Sequence, residues 1–182
     1  MSPWLQHLPV LPVAVPLFAG AAMLLIPESR RHRAALAIVA VLVQLLAAVA
    51  LLYLTTDAVP DIWSKGIGVY SIGKWPAPFG IVLVVDRLSA LMLVLTATLA
   101  LATLVYSLAR WDRVGVHFHS LFQLLLMGLN GAFLTGDLFN LFVFVEVMLA
   151  ASYGLLLHGS GAPRVKAGLH YIVVNLVSSL LV

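Results

Sequence analysis

One carboxylic acid, Glu146, lies near the middle of a long apolar run of the sequence, Leu138 to Leu157. If this run spans a membrane, an ionised carboxylate there costs several kcal/mol, since insertion scales give about 2.5–3.5 kcal/mol for central charges. A carboxyl group that gains and loses a proton at this depth is what a proton relay requires. Glu146 is therefore predicted to transfer protons, and the alternative is a protonated acid that hydrogen-bonds to a neighbouring helix.

Other polar side chains are weaker candidates. His170, at the start of the last apolar run, is a candidate for passing protons toward the interior. Asp137 is a candidate for the same path, although an acid at a helix start is also stabilised by the helix dipole. His117 and His119 lie at a predicted cytoplasmic interface, where simple solvation is expected and proton delivery is the alternative. Asp86 also lies near a helix start, where the helix dipole stabilises an acid. Interhelical hydrogen bonds are expected for three asparagines, with the lining of a hydrated path as the alternative: Asn130, Asn140 and Asn175.

The sequence contains no recognisable motif for cofactor or metal binding. The chain has no cysteine, which excludes disulfides, iron–sulfur clusters and thiolate zinc sites. No Walker A loop and no GxGxxG turn follows a strand-like segment, so no nucleotide cofactor is expected. No two histidines share a helix face with a carboxylate at ligand spacing, so no metal is expected.

The composition indicates a membrane protein. Of the 182 residues, 63% are hydrophobic and 9% are charged, whereas a soluble domain has about 45–50% apolar and about 25% charged residues. The predicted fold is all-α, a polytopic bundle of five full transmembrane helices and the start of a sixth. The pI near 9.5 does not indicate a nucleic-acid partner, because the basic residues lie in short gaps and not on one face.

The apolar runs place the predicted spans. The segment Gly68 to Trp75, in the long gap after the second run, has strand-like composition, and a hairpin at the membrane surface is predicted. The last run is still apolar at Val182, so the chain is predicted to be the N-terminal part of a longer membrane domain, ending inside helix six. The predicted spans are 8–27, 34–55, 88–109, 117–135, 138–157 and 167–182.

The distribution of basic residues predicts the orientation. The gaps after the first, third and fifth runs hold seven Lys and Arg, and those after the second and fourth hold three, so the positive-inside rule places the N-terminus and the hairpin outside. The seven basic residues on the inner side are Arg30, Arg31, Arg33, Arg110, Arg113, Arg164 and Lys166, and the three on the outer side are Lys65, Lys74 and Arg87. A multi-pass protein of the bacterial cytoplasmic membrane is expected.

The segment from Gly128 to Glu146, GLNGAFLTGDLFNLFVFVE, resembles the D subunits of the multisubunit Na⁺/H⁺ antiporters, the Mrp, Mnh or Pha type. The segments Ala151–Leu155, Lys166–Tyr171 and Asp86–Met92 extend the resemblance over essentially the whole chain. A weaker resemblance reaches the antiporter-like membrane subunits of respiratory complex I.

This resemblance implies a fold and a mechanism. Such subunits have about fourteen transmembrane helices with two inverted five-helix repeats. A glutamate on their fifth helix matches Glu146 and pairs with a lysine on the seventh helix, and a lysine on the twelfth helix completes the path. The implied function is proton exchange for Na⁺ or K⁺ in the bilayer, together with other subunits of a hetero-oligomeric complex. The alternatives are a proton-pumping membrane-arm subunit of an NADH–quinone oxidoreductase or a related hydrogenase complex, and a purely structural assembly subunit.

Overall fold

The computed structural model describes residues 3–25, 29–56, 63, 66–74, 80–109, 115, 117–159 and 161–180. Within these ranges the chain is a bundle of α-helices with one small sheet, which confirms the predicted all-α class. A 3-10 helix, Pro3–Val10, leads into the first α-helix. The remaining elements are α1 (Leu11–Leu25), α2 (Arg30–Leu54), β1 (Gly68–Ser71), a 3-10 turn (Ile72–Lys74), β2 (Val82–Val85), α3 (Arg87–Ser107), α4 (Phe118–Leu134), α5 (Leu138–Leu156) and α6 (Ala162–Leu180).

Several helices have the length and apolarity of membrane spans. Among the described residues, four helical stretches meet both criteria, and α4 is apolar but shorter, with 17 residues. At 1.5 Å per residue, α4 covers about 26 Å of a hydrocarbon core that is about 30 Å thick. The four stretches are Leu5–Leu25, Arg30–Leu54, Arg87–Ser107 and Leu138–Leu156.

Two helices begin earlier than the apolar runs suggest. Helix α2 starts at Arg30, four residues before the predicted span, because the exposed side chains of Arg30 and Arg31 can reach water while their backbone stays helical. Helix α6 starts at Ala162, five residues early, and Pro163 lies in its first turn, where a proline loses no helical hydrogen bond. Basic residues that were expected in loops therefore lie in the first turns of helices.

The core consists of two apolar clusters that follow one another along the bundle. Helix α4 packs against both α1 and α5, and α3 packs against α2. The first cluster is Ala19, Met23, Ala37, Ala40, Val41, Ala100, Leu104, Phe122 and Leu126. The second is Ala48, Leu51, Leu83, Val85, Ala90, Leu93, Leu134 and Phe144.

The small sheet closes one end of the bundle. Strands β1 and β2 pair antiparallel, with Gly68 opposite Val85. The Gly136 N–H donates to the Val82 carbonyl at 2.9 Å, which attaches β2 to the turn between α4 and α5. His7 and the Tyr70 hydroxyl, 2.9 Å apart, attach the N-terminal segment to β1. We call this end the hairpin end. The opposite end, the basic end, carries Arg30, Arg31, Arg33, Arg164 and Lys166.

Candidate functional site

Helix α5, which carries Glu146, is fixed at its start by Asp137. This residue is the N-cap, and its carboxylate accepts a hydrogen bond from the Phe139 N–H at 2.6 Å. The Thr135 hydroxyl donates to the Asp137 carbonyl at 3.1 Å and stiffens the same turn. Asp137 thus has a clear capping role, and its part in proton transfer stays a prediction.

Two glycines bring α5 unusually close to α4. A Cβ atom on Gly128 would lie 2.8 Å from the Phe144 carbonyl oxygen and 2.7 Å from the Met148 nitrogen. A Cβ on Gly131 would lie 2.2 Å from the ring of Phe144. Because glycine has no side chain, the two helices approach as the small-residue interfaces of membrane helices do. The face of α5 that carries Phe144 and Met148 is therefore the face turned to α4.

Glu146 lies on the opposite face of α5. Successive helix positions differ by about 100°, so Glu146 is about 200° from both Phe144 and Met148. Its side chain is half-buried, and its Oε1 atom is buried without a hydrogen-bond partner among the described residues. Leaving a buried polar atom unsatisfied costs about 1–3 kcal/mol, and more for a charged group. The Oε1 atom thus leaves a hydrogen-bonding position for a group outside the described residues.

Helix α6 contacts the Glu146 face of α5 toward the basic end. Tyr153 follows Glu146 by seven residues and lies on the same helix face. Its ring meets that of Tyr171 on α6 edge to face, with the ring centroids 5.6 Å apart. Two phenol groups are therefore located between the Glu146 face of α5 and the basic end of the bundle.

His170, the predicted entry residue for protons, lies next to Tyr171 on α6. Its side chain is exposed, and Nδ1 lies 2.8 Å from the Lys166 carbonyl oxygen. Because a carbonyl only accepts, this nitrogen carries the proton. No hydrogen bond in the described ranges joins His170 to Glu146, so its role in proton transfer stays a prediction.

The other two candidate histidines differ in burial. His117 is exposed, as expected at an interface, but His119 is only 4% exposed, so the prediction that it is solvated is wrong. The reason is the helix period. His119 lies on the face of α4 that carries the buried residues Phe122, Gln123 and Leu126, at spacings of three, four and seven.

Three buried amide side chains form a second polar centre, which we call the amide cluster: Gln44, Gln123 and Asn130. Gln44 donates to the Gln123 Oε1 atom at 3.1 Å, and Asn130 donates to the Gln44 Oε1 atom at 3.1 Å. Gln123 also donates to the Ala37 carbonyl at 3.1 Å. The cluster ties α2 to α4 between the two apolar clusters, as the prediction of interhelical bonding by Asn130 implied.

Asn130 also bonds to the backbone of α1. Its Nδ2 atom donates to the Pro12 carbonyl at 2.8 Å. In a regular helix this carbonyl would accept from the N–H four residues later, but that residue is Pro16, which has none. The role of Gln123 was missed in the sequence, although its spacing of seven from Asn130 places both on one helix face. The spacing of four between Pro12 and Pro16 was a further signal, since it identifies the freed carbonyl.

The described residues include no group of three or more His, Asp or Glu side chains placed to hold a metal ion. Among the described residues, the arrangement offers the half-buried carboxyl group of Glu146, two phenols further along the same face of α5 and a neutral amide cluster. Such groups can bind and release protons or hydrogen-bond to water.

Known proteins resemble this chain over nearly all of its length, although none of the family models compared with it matches. The D subunit of a probable K(+)/H(+) antiporter of Rhizobium meliloti (strain 1021) is 59% identical over 182 residues, which are 100% of this chain and 33% of that protein. The N subunit of an NADH-quinone oxidoreductase of Desulforudis audaxviator (strain MP104C) is 39% identical over 175 residues, 93% of this chain and 33% of that protein.

A solved structure shows the same fold. A chain of the Mrp complex from Dietzia sp. DQ12-45-1b superimposes with a TM-score of 0.85 and 34% identity, over 99% of this chain and 33% of that chain. The present chain spans about a third of the length of the relatives it matches. With several helices long and apolar enough to cross a bilayer, it is a multi-pass membrane protein. It belongs to the family of multisubunit cation/proton antiporter D subunits.

Proposed function

We propose that this chain is the N-terminal part of a proton-translocating membrane subunit. Together with other subunits of a hetero-oligomeric complex, it exchanges protons for a monovalent cation, K⁺ or Na⁺. The family of the chain and the K(+)/H(+) function named for its relative from Rhizobium meliloti support this proposal. The bilayer and the partner subunits complete the transport path.

The observation that carries the proposal is the buried Oε1 atom of Glu146. Because this atom has no hydrogen-bond partner in the described ranges, it can accept a hydrogen bond from water or from a proton-donating group of the remaining protein. The sequence has no Lys or Arg between Arg113 and Arg164, so neither α4 nor α5 supplies a counter-charge. A cation brought near Glu146 by the remainder of the protein or by a conformational change then favours proton release.

A route for protons to Glu146 follows from the residues on its face of α5. We assign His170 to the end of this route at the basic end, and Tyr153 and Tyr171 line the way between it and the carboxyl group. The basic end faces the cytoplasm of a bacterial cell under the positive-inside rule, which puts the N-terminus and the hairpin end outside. Asp137 at the hairpin end is assigned to the outer end of this route, in addition to its capping role.

The test is Glu146→Gln in the full-length protein assembled with its partner subunits. Antiport measured in everted vesicles, with K⁺ and Na⁺ in separate runs, is expected to fall by about a hundredfold, the lower range for loss of a proton-transfer group. Glu146→Asp retains a carboxyl group and is expected to keep partial activity. Ser152→Ala, which removes a hydroxyl bonded to its own helix, is the matched control on α5. Normal exchange by an assembled Glu146→Gln complex would refute the proton-transfer role.

A second candidate function is favoured by the relative named as the N subunit of an NADH-quinone oxidoreductase. In that case Glu146 serves the same proton transfer, but redox chemistry on other chains drives it. Purification of the native complex distinguishes the two. Flavin and iron–sulfur absorption with NADH-dependent quinone reduction would identify the redox assembly, and their absence together with cation-dependent proton exchange would identify the antiporter.

A further inference from the structure

Helix α6 lies along the face of α5 that carries Glu146, and two contacts fix the alignment of these helices. Near the basic end, a Cβ atom on Gly168 would lie 2.7 Å from the Leu157 side chain. About one turn further along α6, the ring of Tyr171 meets that of Tyr153. The residue numbers rise along α6 as they fall along α5, so the two helices run antiparallel from the basic end toward Glu146.

Asn175 of α6 faces α5 at a level between Tyr153 and Glu146. It follows Tyr171 by four residues and Gly168 by seven, so it lies on the same side of α6 as both contacts. Seven residues of α5 separate Glu146 from Tyr153, and the antiparallel alignment places Asn175 beside the middle of this segment. At 1.5 Å per residue, its level is about 5 Å along the helix axis from each of them.

The burial pattern of α6 agrees with this placement. Asn175 and Ile172 are half-buried, whereas Val174 and Leu176, which flank Asn175 in the sequence, are exposed. Gly168, closer to the basic end on the same side, is buried. The side of α6 that faces α5 is thus less covered at Asn175 than at Gly168, so the amide side chain is accessible to a molecule as small as water.

The polar groups along this stretch do not bond to one another. Within the described residues, no hydrogen bond engages the side chain of Asn175, the Tyr153 hydroxyl or the Glu146 Oε1 atom. An interhelical hydrogen bond of Asn175 is therefore not formed among them, which favours the alternative that it lines a hydrated path. Residues 147–152 of α5 and 172–178 of α6 contain no charged side chain, so the groups available for binding at this level are neutral and polar, apart from Glu146.

We propose that Asn175 binds a water molecule between Tyr153 and Glu146, and that protons reach and leave Glu146 through this water. The inference rests on the proposed proton transfer by Glu146. A buried water makes about three hydrogen bonds, and three polar partners converge here: the Asn175 amide, the Tyr153 hydroxyl and the Glu146 carboxyl group. Asn175 does not titrate and is a positioning residue, because its amide holds the water in line between the two groups that exchange protons.

The water and the tyrosine are unchanged by each transfer. When Glu146 takes up a proton, an O–H bond forms on its carboxylate as one of the water breaks. The water regains a proton from the Tyr153 hydroxyl, and the hydroxyl regains one from the basic end. One proton has then moved and every broken O–H bond has been replaced. Release follows the same steps in reverse, and the amide serves both directions because it has a donor and an acceptor.

The amide is tested with Asn175→Leu, which keeps a similar volume, against the same substitution at Asn140. Asn140 is 8% exposed and lies on the side of α5 that carries Phe144, which is turned to α4. Antiport is measured in everted vesicles with the full-length protein and its partner subunits. Asn175→Leu is expected to slow exchange about tenfold, which is about 1.4 kcal/mol, near the upper range for one hydrogen bond. Asn175→Gln, which keeps an amide, is expected to retain most of the rate, and Asn140→Leu all of it.

The hydroxyl is tested with Tyr153→Phe, which keeps the ring and its edge-to-face contact with Tyr171. Tyr106→Phe, at an exposed position of α3, is the control for loss of a phenol. Tyr153→Phe is expected to slow exchange as much as Asn175→Leu does. The double variant is expected to be little slower than either single variant, since both substitutions act on the same water and their effects are then not additive.

A second measurement detects the water without transport. Hydroxyl radicals produced by a short X-ray pulse label side chains next to bound water, and mass spectrometry of the purified complex gives the labelling at Tyr153. This labelling is expected to fall severalfold in Asn175→Leu and to stay at the wild-type level in Asn140→Leu. A role of Asn175 in helix packing alone would lower the stability of the complex and leave the labelling unchanged.

Two results would overturn the proposal. The first is wild-type exchange by both Asn175→Leu and Tyr153→Phe in a complex that Glu146→Gln inactivates, which would leave the role of Glu146 intact and remove that of the water. The second is wild-type labelling of Tyr153 in the Asn175→Leu complex. If Glu146→Gln itself exchanges normally, the proposed proton transfer by Glu146 fails and this inference fails with it, whatever the labelling shows.

Discussion

The hydrogen bond from Asn130 to the Pro12 carbonyl allows a quantitative prediction. Because Pro16 has no N–H, the Pro12 carbonyl accepts instead from Asn130 of α4. Asn130→Leu keeps a similar volume but removes the donor to Pro12 and to Gln44. Interhelical hydrogen bonds in membranes contribute about 0.6 kcal/mol on average and up to about 1.7 kcal/mol. Leaving a buried acceptor unsatisfied costs about 1–3 kcal/mol. We expect Asn130→Leu to lower the free energy of unfolding by about 1–3 kcal/mol.

Combining Asn130→Leu with Pro16→Ala tests the Asn130–Pro12 hydrogen bond specifically. That substitution restores an N–H at position 16, which donates to the Pro12 carbonyl within α1 and makes the Asn130 bond to it redundant. Pro16 is fully buried, so the single variant also loses packing, but a double-mutant cycle subtracts that loss. In the Pro16→Ala background, Asn130→Leu is expected to cost about 0.6–1.7 kcal/mol less than in the wild type.

The measurement is the unfolding of the full-length protein in mixed micelles with increasing SDS, for the wild type, both single variants and the double variant. Pro9→Ala combined with Asn130→Leu is the control cycle, since Pro9 is equally buried and no described hydrogen bond links it to Asn130. Strict additivity for Pro16 and Asn130, within about 0.5 kcal/mol, would refute the reasoning. So would an equally large coupling in the control cycle.

Two further predictions concern helix contacts and capping. Gly128→Ala is expected to destabilise the protein by about 1–3 kcal/mol in thermal unfolding, because the new Cβ meets the α5 backbone. Gly20→Ala is the control and is expected to be nearly neutral, because its Cβ has no neighbour nearer than 3.4 Å. The hydrogen bond from the Ser89 N–H holds the pKa of Asp86 below its ordinary value of 3.8. The ionised Asp86 therefore caps α3 fully above pH 3.8, and this stabilisation is lost as the pH falls through the lower pKa of the folded state. Asp86→Ala is therefore expected to cost about 0.5–2 kcal/mol at neutral pH and progressively less below pH 3.8; a penalty that stays constant on acidification would contradict this assignment.

Features that depend on local sequence could be predicted well. The all-α class follows from apolar runs that are too long and too rarely interrupted for a soluble chain. Glu146 stands out because it is an acid in such a run, and the acids before α3 and α5 coincide with their N-caps, Asp86 and Asp137. The starts of α2 and α6 were placed too late because charged residues were assigned to loops, although long basic side chains can extend from a helical turn into the interface.

Features that depend on the meeting of distant residues could not be predicted. The amide cluster joins Gln44 to residues 79 and 86 positions away, and neutral amides in an apolar run give no signal as strong as a charge. The burial of His119 and the face of Glu146 depend on which side of each helix meets its neighbours. The partner of β1 is β2, a short apolar stretch beside the start of α3 that the hydropathy pattern did not separate from its surroundings.

The Pro12 carbonyl also has a consequence for the order of assembly. Its partner, Asn130, is 118 residues later in the chain. At synthesis rates of about 5–20 residues per second, roughly 6–24 seconds pass between the emergence of the two residues from the ribosome. During this interval α1 holds a carbonyl that its own helix cannot satisfy, so water or another temporary donor has to serve it. Helix α1 thus reaches its final bonding only when α4, made much later, arrives beside it.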